Sequence, residues 1–390
     1  MTTAVALLTP PGTAALGVLG LIGPQAAAWV NAHFEPFTAQ QRPNSLGRQT
    51  SRSGVGQIRF GRLTLDPWAD DVLVVDAATP TEPMVEIHTH GNAALLRGLI
   101  QGFVALGAVE IDARTWPWRT GVSPFRAEAA AALMFAPTLR VASILLDQVD
   151  GAMDRALAGI VAAASAEPPD MARAQAAVHA VAKWSALGRH LTEPWRILIA
   201  GAPNAGKSTL FNALLGYERA LTSPQPGTTR DVVTARCALE GWLFELMDSA
   251  GLRSSADTVE VAGMGKAAAV ALGVDLCLWV VDATTMHAAA PPPGFTPAPV
   301  LVVLNKVDQL TPETHPAVAS PMFPIAANLG QGLAALREGI VRQLIPESPP
   351  PGAAVPLSDA WKDWLARHHG QLIQSHEVVG HQTAGCKPLR

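Results

Sequence analysis

Three regimes of hydrophobic patterning follow one another along the chain. In the first, short apolar runs alternate with polar turns. Residues 5–8 and 16–22 predict strands on either side of a Pro10-Pro11-Gly12 turn. Val85-Glu86-Ile87-His88 predicts a further strand, ending at His90-Gly91, and a helix is expected over residues 93–106. From Phe125 to about Leu187 the chain is alanine-rich, and Leu133, Leu139, Ile144, Leu145, Val149 and Met153 form a loose apolar stripe at helical spacing. Alanine and leucine favour helix, and Glu167-Pro168-Pro169 breaks the run into two helices or a hairpin. Beyond Glu193-Pro194, strands and helices alternate to about Ile345. Residues 196–200, 244–247, 276–281 and 300–304 read as buried strands of a parallel sheet covered on both faces. Pro349-Pro350-Pro351-Gly352 reads as a linker, with one helix expected after it over residues 358–374.

Composition narrows the class. A chain of 390 residues predicts two or three domains at roughly 100–200 residues each. With 49% apolar and 15% charged residues, each can bury a core, which excludes wholesale disorder. A net charge of −4 excludes a generally basic nucleic-acid coat, so any RNA contact must be a local patch. The stretch 42–62 holds Arg42, Arg48, Arg52, Arg59 and Arg62 and no acid; it is either a solvated face or an anion contact. Cys237, Cys277 and Cys386 show no C-x-x-C spacing and fit a reducing cytosol, without a zinc site or disulfide framework. The apolar N-terminus lacks Lys and Arg and is interrupted by Pro10-Pro11, unlike a signal peptide. The best membrane candidate, residues 267–281, contains Asp275 and is too short to cross a bilayer. A cytoplasmic protein without membrane contact is expected.

The chemistry lies in the last regime. Gly201-Ala202-Pro203-Asn204-Ala205-Gly206-Lys207-Ser208 fits the G-x-x-x-x-G-K-[ST] loop, placed between a strand and a helix over residues 208–215. Its glycines let backbone N–H groups curl around a β-phosphate, Lys207 brings a charge to the β/γ oxygens, and Ser208 can ligate Mg²⁺. Ala205 and Thr209 complete the loop's nucleotide-binding set. Asp248 ends a strand where a carboxylate can face Mg²⁺ through water, and the N–H of Gly251 would meet the γ-phosphate. Asn305-Lys306-Val307-Asp308 ends another strand, and the Asp308 carboxylate can accept two hydrogen bonds from a guanine edge. Adenine cannot supply that pair, and unmet polar groups there would cost several kcal/mol. The three motifs, in order, predict a guanine-nucleotide site.

With those residues in hand the chain resembles the MnmE/TrmE type of tRNA wobble-uridine modification GTPases. Gly227-Thr228-Thr229-Arg230-Asp231 is similar to the family's switch motif, and Asp248-Ser249-Ala250-Gly251-Leu252-Arg253 to its D-T-A-G-L-R. Leu8-Thr9-Pro10-Pro11-Gly12 resembles the family's start, and the segment Val85 to Asn92 its E-x-x-x-H-G-G. The resemblance implies that Thr228 and Thr229 belong to the nucleotide site, Thr229 on Mg²⁺. It also implies a K⁺ ion held by Asn204 and by carbonyls of about residues 221–226. Leu252 stands where small GTPases place a water-orienting glutamine, and by resemblance Glu260 positions the water instead. Read from the residues alone, the alternatives are a turn-forming asparagine at Asn204 and a first-turn helix acid at Glu260. The resemblance further implies an N-terminal domain that dimerises and binds a tetrahydrofolate derivative through Glu86, otherwise a strand-edge surface acid. Its partners would be tRNA and an FAD-dependent protein of the MnmG/GidA type.

The chain departs from the family pattern in three places. Gly20 and Ile22 stand where an arginine and a serine are usual, no lysine lies between Ser123 and Glu128, and the chain ends Gly385-Cys386-Lys387-Pro388-Leu389-Arg390 rather than in C-I-G-K. The expected fold is α/β: a P-loop GTPase domain inserted in a helical domain, with an N-terminal α+β folate-binding-like domain. The expected bounds are 1–120 for the N-terminal domain, 121–190 for the first helical part, 191–347 for the G domain and 348–390 for linker and abbreviated helical segment. Two other readings stay open: a regulatory GTPase without RNA chemistry, and a nucleotide-binding scaffold with negligible turnover. His88 and His90, two apart on a strand, could share a metal but lack a third ligand. His376 and His381 are one residue too far apart for H-E-x-x-H, and Trp116-Pro117-Trp118 reads as a packed loop or a stacking platform.

Overall fold

The computed structural model describes residues 2–37, 57–79, 82–217, 233–248, 273–286, 290–292, 294–296, 298–310 and 322–368. The chain divides into two compact units, Met1–Phe135 with Val149–Asp154, and Ala136–Gln148 with Arg155–Arg390.

The first unit is built on β1 (Ala4–Leu7), β2 (Leu16–Ile22), β3 (Phe34–Pro36), β4 (Gln57–Leu65), β5 (Trp68–Ala78), β6 (Pro83–His90) and β7 (Val109–Glu110). They form one sheet in the order β3-β4-β5-β6-β2-β1-β7. Every pairing is antiparallel except β1 with β7. Burial alternates along β6, so Val85, Ile87 and Thr89 face inward while Glu86 and His88 lie on the other face. Val85 and Ile87 join Leu19, Leu21, Leu99 and Phe103 in one core under the helices Ala26–His33 and Ala93–Ala105. Burying each of these large side chains contributes about 1.5–3 kcal/mol. Asn92 starts the second of those helices, its Oδ1 accepting from the N–H groups of Ala94 and Leu95.

Sequence patterning missed the β4–β5 hairpin, because its alternation begins inside the arginine-rich stretch. There Arg59 donates to Asn31 and Asp76, at 2.8 and 2.9 Å, and Arg62 to Asp71 at 3.0 Å. These two arginines are therefore cross-strand partners of acids; Arg42, Arg48 and Arg52 lie outside the described residues. His88 faces Glu86 and His90 takes its Nδ1 to Asp70 at 2.8 Å, so the two imidazoles serve separate carboxylates.

The predicted apolar stripe from Leu133 to Met153 is not one helix. Helices Pro124–Leu133, Leu139–Val149 and Ala152–Ala164 share it, separated at Pro137 and at Gly151, whose φ is 88°. Leu139, at the exposed start of the second helix, is 91% accessible, whereas Val141 and Leu145 are fully buried. The segment after Ile345 is not a loose linker either. Gln148, fully buried, donates to the carbonyl of Ala353 and accepts from the N–H of Val355, while Asp147 accepts from Gly352. Pro356 passes so close to Gly188 that a Cβ there would meet its carbonyl oxygen at 1.8 Å. The helix Ala360–His368 follows and buries Trp361 and Leu365; the rest of the predicted helix lies outside the described residues.

The second sheet comprises β8 (Trp195–Gly201), β9 (Val233–Leu239), β10 (Trp242–Asp248), β11 (Leu276–Asp282), β12 (Val300–Asn305) and β13 (Met322–Pro324). Its order is β13-β12-β11-β8-β10-β9. It is mixed rather than parallel, because β9 pairs antiparallel with β10 through a two-residue turn at Glu240-Gly241, both at positive φ. A Glu-Gly pair is a weak hairpin signal, and β9 went unpredicted. Cys237 and Cys277 are buried on β9 and β11, and burial pushes the Cys277 thiol up to about 12. No group of three or more His, Cys, Asp or Glu side chains among the described residues could hold a metal. No described helix is long and apolar enough to cross a membrane.

At the other end of β8 the His190 ring stacks on Trp195, centroids 3.5 Å apart. Burial holds the His190 pKa below its ordinary value, and neighbouring Arg189 adds to this; Asp275, with its Oδ1 3.9 Å from Nε2, pulls the other way. The folded chain therefore keeps the neutral imidazole to lower pH than the unfolded chain, which protonates it at about pH 6.5. Its contribution to stability is complete above that pH and is lost as pH falls through the folded value. Between about pH 8 and about pH 5.5 the thermal midpoint should fall less steeply in His190→Phe, which keeps the stack, than in wild type. Equal slopes would contradict this assignment.

Candidate functional site

The ends of β8, β10, β11 and β12 meet at one edge of the second sheet, where loops leave the C-terminal ends of parallel strands. Gly201 closes β8 with φ 144°, and a Cβ there would meet the carbonyl oxygen of Val280 at 2.1 Å. Asn204 sits in the left-handed region at φ 61°, a conformation its side chain tolerates. Gly206, at φ 92°, leaves room for the Asn305 side chain, whose Nδ2 lies 2.2 Å from where a Cβ would stand. Helix Lys207–Tyr217 then begins, with Ser208 and Thr209 exposed in its first turn. Those first-turn N–H groups suit an anion.

Lys207 is only 5% exposed, and its Nζ donates to the carbonyl of Ala202 at 2.7 Å. The ammonium thus reaches back across the loop. Ser208 Oγ donates to Asp248 Oδ2 at 2.7 Å, and Asp248 is 4% exposed at the end of β10. A hydroxyl and a carboxylate brought together this way are hard oxygen donors, a set that fits Mg²⁺.

Asn305 is buried and uses both ends of its amide. Nδ2 donates to the carbonyl of Ala205 at 2.9 Å, and Oδ1 accepts from the N–H of Ala327 at 3.1 Å. Lys306 is left-handed, φ 65° and ψ 33°, and its Nζ lies 2.6 Å from Asp282 Oδ2. Asp308 is exposed, and Asn328 Nδ2 approaches its Oδ2 at 3.4 Å. The structure therefore brings Gly201, Asn204, Ala205, Gly206, Lys207, Ser208, Thr209, Asp248, Asn305, Lys306 and Asp308 to one sheet edge. Thr228, Thr229, Gly251, Leu252 and Glu260, with the 221–226 carbonyls and Cys386, lie outside the described residues. Glu86 belongs to the first unit, half-buried on β6 with its carboxylate 3.4 Å from His88 Nε2.

Three contributors escaped sequence reasoning. Asp282 ends β11 and is held by Thr284, whose N–H and hydroxyl reach Oδ1 at 2.9 and 2.7 Å. Ala327 and Asn328 follow β13, a strand of three residues too short to read from patterning. Only the strand register, which pairs Asp282 with Asn305, brings that aspartate to the site.

Comparison with known proteins agrees with this geometry. The sequence model of a family described as 50S ribosome-binding GTPase matches residues 196–306. The tRNA modification GTPase MnmE of Thermus thermophilus is 32% identical over 403 residues, covering 95% of this chain and 88% of that one. The MnmE of Moorella thermoacetica is 34% identical over 317 residues, 73% of this chain and 66% of that one. Among solved structures, the FeoB G-domain of Methanococcus jannaschii aligns with 39% of this chain and 97% of its own, at 21% identity and a TM-score of 0.28, a likeness too slight to bear on function. The Thermus identity extends far beyond the nucleotide loops and into both units: the chain belongs to the MnmE family of tRNA modification GTPases.

Proposed function

We propose that this chain is a cation-assisted GTPase working as a homodimer in wobble-uridine modification of tRNA, in the cytoplasm, beside an FAD-dependent protein of the MnmG/GidA type. The observation that carries the reading is the Asn305 amide, which joins the phosphate loop to the guanine-reading segment. In this reading the G domain, residues 191–347, is inserted in a helical domain made from 121–190 and 348–390, after a folate-binding-like domain over 1–120.

The roles follow from charge and reach. Lys207 neutralises β/γ oxygens. Ser208 and Thr229 would hold Mg²⁺, with Asp248 reaching it through water, and Asn204 with the 221–226 carbonyls would hold K⁺. Bound there, the two cations supply positive charge where phosphoryl transfer develops negative charge. Gly251 gives its N–H to the γ-phosphate, and Glu260 orients the water that Leu252 cannot. Asp308 accepts the guanine N–H pair, while Asn305 and Lys306 set its position.

Folate binding rests on Glu86 alone. The Trp116 ring closes the space beside Gly20, where a Cβ would meet it at 2.5 Å and where the family pattern has an arginine. This favours, as a second reading, a regulatory GTPase that has given up the folate-dependent chemistry.

Two measurements test the proposal. GTP hydrolysis should rise about tenfold in KCl over NaCl, and Glu260→Ala should lower kcat by about 100-fold with KM little changed. Slow turnover in both salts, unchanged by the substitution, would leave only a nucleotide-binding scaffold. Asp308→Asn should move preference from GTP to XTP, because the amide N–H₂ then faces the xanthine carbonyl. Retained GTP preference would place the base elsewhere.

A further inference from the structure

We infer that Asp282 is a positioning residue for guanine-nucleotide binding, acting through its ion pair with Lys306. The inference rests on the guanine-site reading above and deepens it.

Asp282 and Asn305 are register partners at the ends of adjacent parallel strands, so the β11 carboxylate arrives beside the start of the Asn305–Asp308 segment. That segment needs external support, because it turns sharply. Lys306 occupies the left-handed region, which a lysine adopts only when its surroundings hold it there. Supports come from three sides. Asn305 is tied to Ala205 and Ala327, the N–H of Val307 donates to Ile325, and Lys306 Nζ is drawn to Asp282 Oδ2 at 2.6 Å.

The carboxylate is itself immobilised. Its Oδ1 accepts two bonds from Thr284, and its own carbonyl accepts from the N–H groups of Thr285 and Met286. Burial alone would raise its pKa, but Lys306 and Thr284 outweigh that and hold it below the ordinary carboxylate value. It therefore stays ionised at neutral pH. The pair is largely withdrawn from water, with Lys306 at 28% and Asp282 at 15% side-chain exposure, so it is not the fully solvated kind that contributes nothing. Two residues on, Asp308 is exposed and approached only weakly by Asn328, so its aim depends on the backbone that Lys306 anchors.

Among the described residues the Asp282 carboxylate bonds to Lys306 and Thr284 rather than to the phosphate loop, so its loss should act on nucleotide retention rather than on the chemical step. The test measures release of a fluorescent GDP, with KM and kcat for GTP, in Asp282→Ala, Asp282→Asn, Lys306→Ala and the double variant Asp282→Ala/Lys306→Ala. Asp282→Ala should speed GDP release and raise KM by about tenfold, with kcat at saturation within about twofold. Asp282→Asn, which keeps the shape and an acceptor oxygen, should fall between it and wild type. If Asp282 works through Lys306, the double variant releases GDP no faster than Lys306→Ala alone. Unchanged release in Asp282→Ala, or effects that simply add, would overturn the inference; so would a kcat that falls with KM unmoved. Wild-type protein that releases GDP as fast as ADP would instead overturn the guanine-site reading on which it rests.

Discussion

One buried carboxamide joins the loops of the nucleotide site. Asn305 gives its N–H₂ to the phosphate loop and its oxygen to the loop after β13, while its backbone carbonyl accepts from Ala283 after β11. Each partner is a main-chain group, and leaving such a group unpaired away from water costs about 1–3 kcal/mol. The constraint reaches back into the sequence. Gly206 must lack a side chain because the Asn305 amide occupies that space, and Ala205 must present its carbonyl, which the left-handed Asn204 before it allows.

From that junction the charges take their places. Lys207 curls over the loop, Ser208 meets Asp248 across from β10, and Asp308 is carried to the exposed rim. Opposite signs are thus distributed along one sheet edge, a cation and hard oxygens at the phosphate loop and an exposed carboxylate beyond β12. β10 also runs to a second contact: beyond its start, the Glu240-Gly241 turn accepts the Thr138 hydroxyl at 2.6 Å, and Arg140 lies over the Trp242 ring. The strand that ends in Asp248 therefore begins against the helix Leu139–Val149, which is held in turn by the 352–355 segment.

How much of this was legible in the sequence depended on whether a residue's role follows from its own stereochemistry. Gly201, Gly206 and Lys207 could be read directly, because few other residues satisfy that backbone and that charge. Asn305, Lys306 and Asp308 were legible as a spacing, though the sequence did not say that the Asn305 amide ties Ala205 to Ala327. Asp282 was not legible: an aspartate after an apolar strand is ordinary, and only the neighbouring register gives it Lys306. β9 and β13 were missed for related reasons, one depending on a Glu-Gly turn and the other spanning three residues. The helical stripe misled because period alone does not register Pro137 or the left-handed Gly151.

The nucleotide site depends above all on the Asn305 amide, which ties its loops together. Equilibrium binding of GDP to Asn305→Ala tests that dependence most directly. The variant should bind at least about tenfold more weakly than wild type, with the far-ultraviolet circular dichroism of the fold retained. Binding within about twofold of wild type would show that the loops hold their places without the amide, and would contradict that dependence.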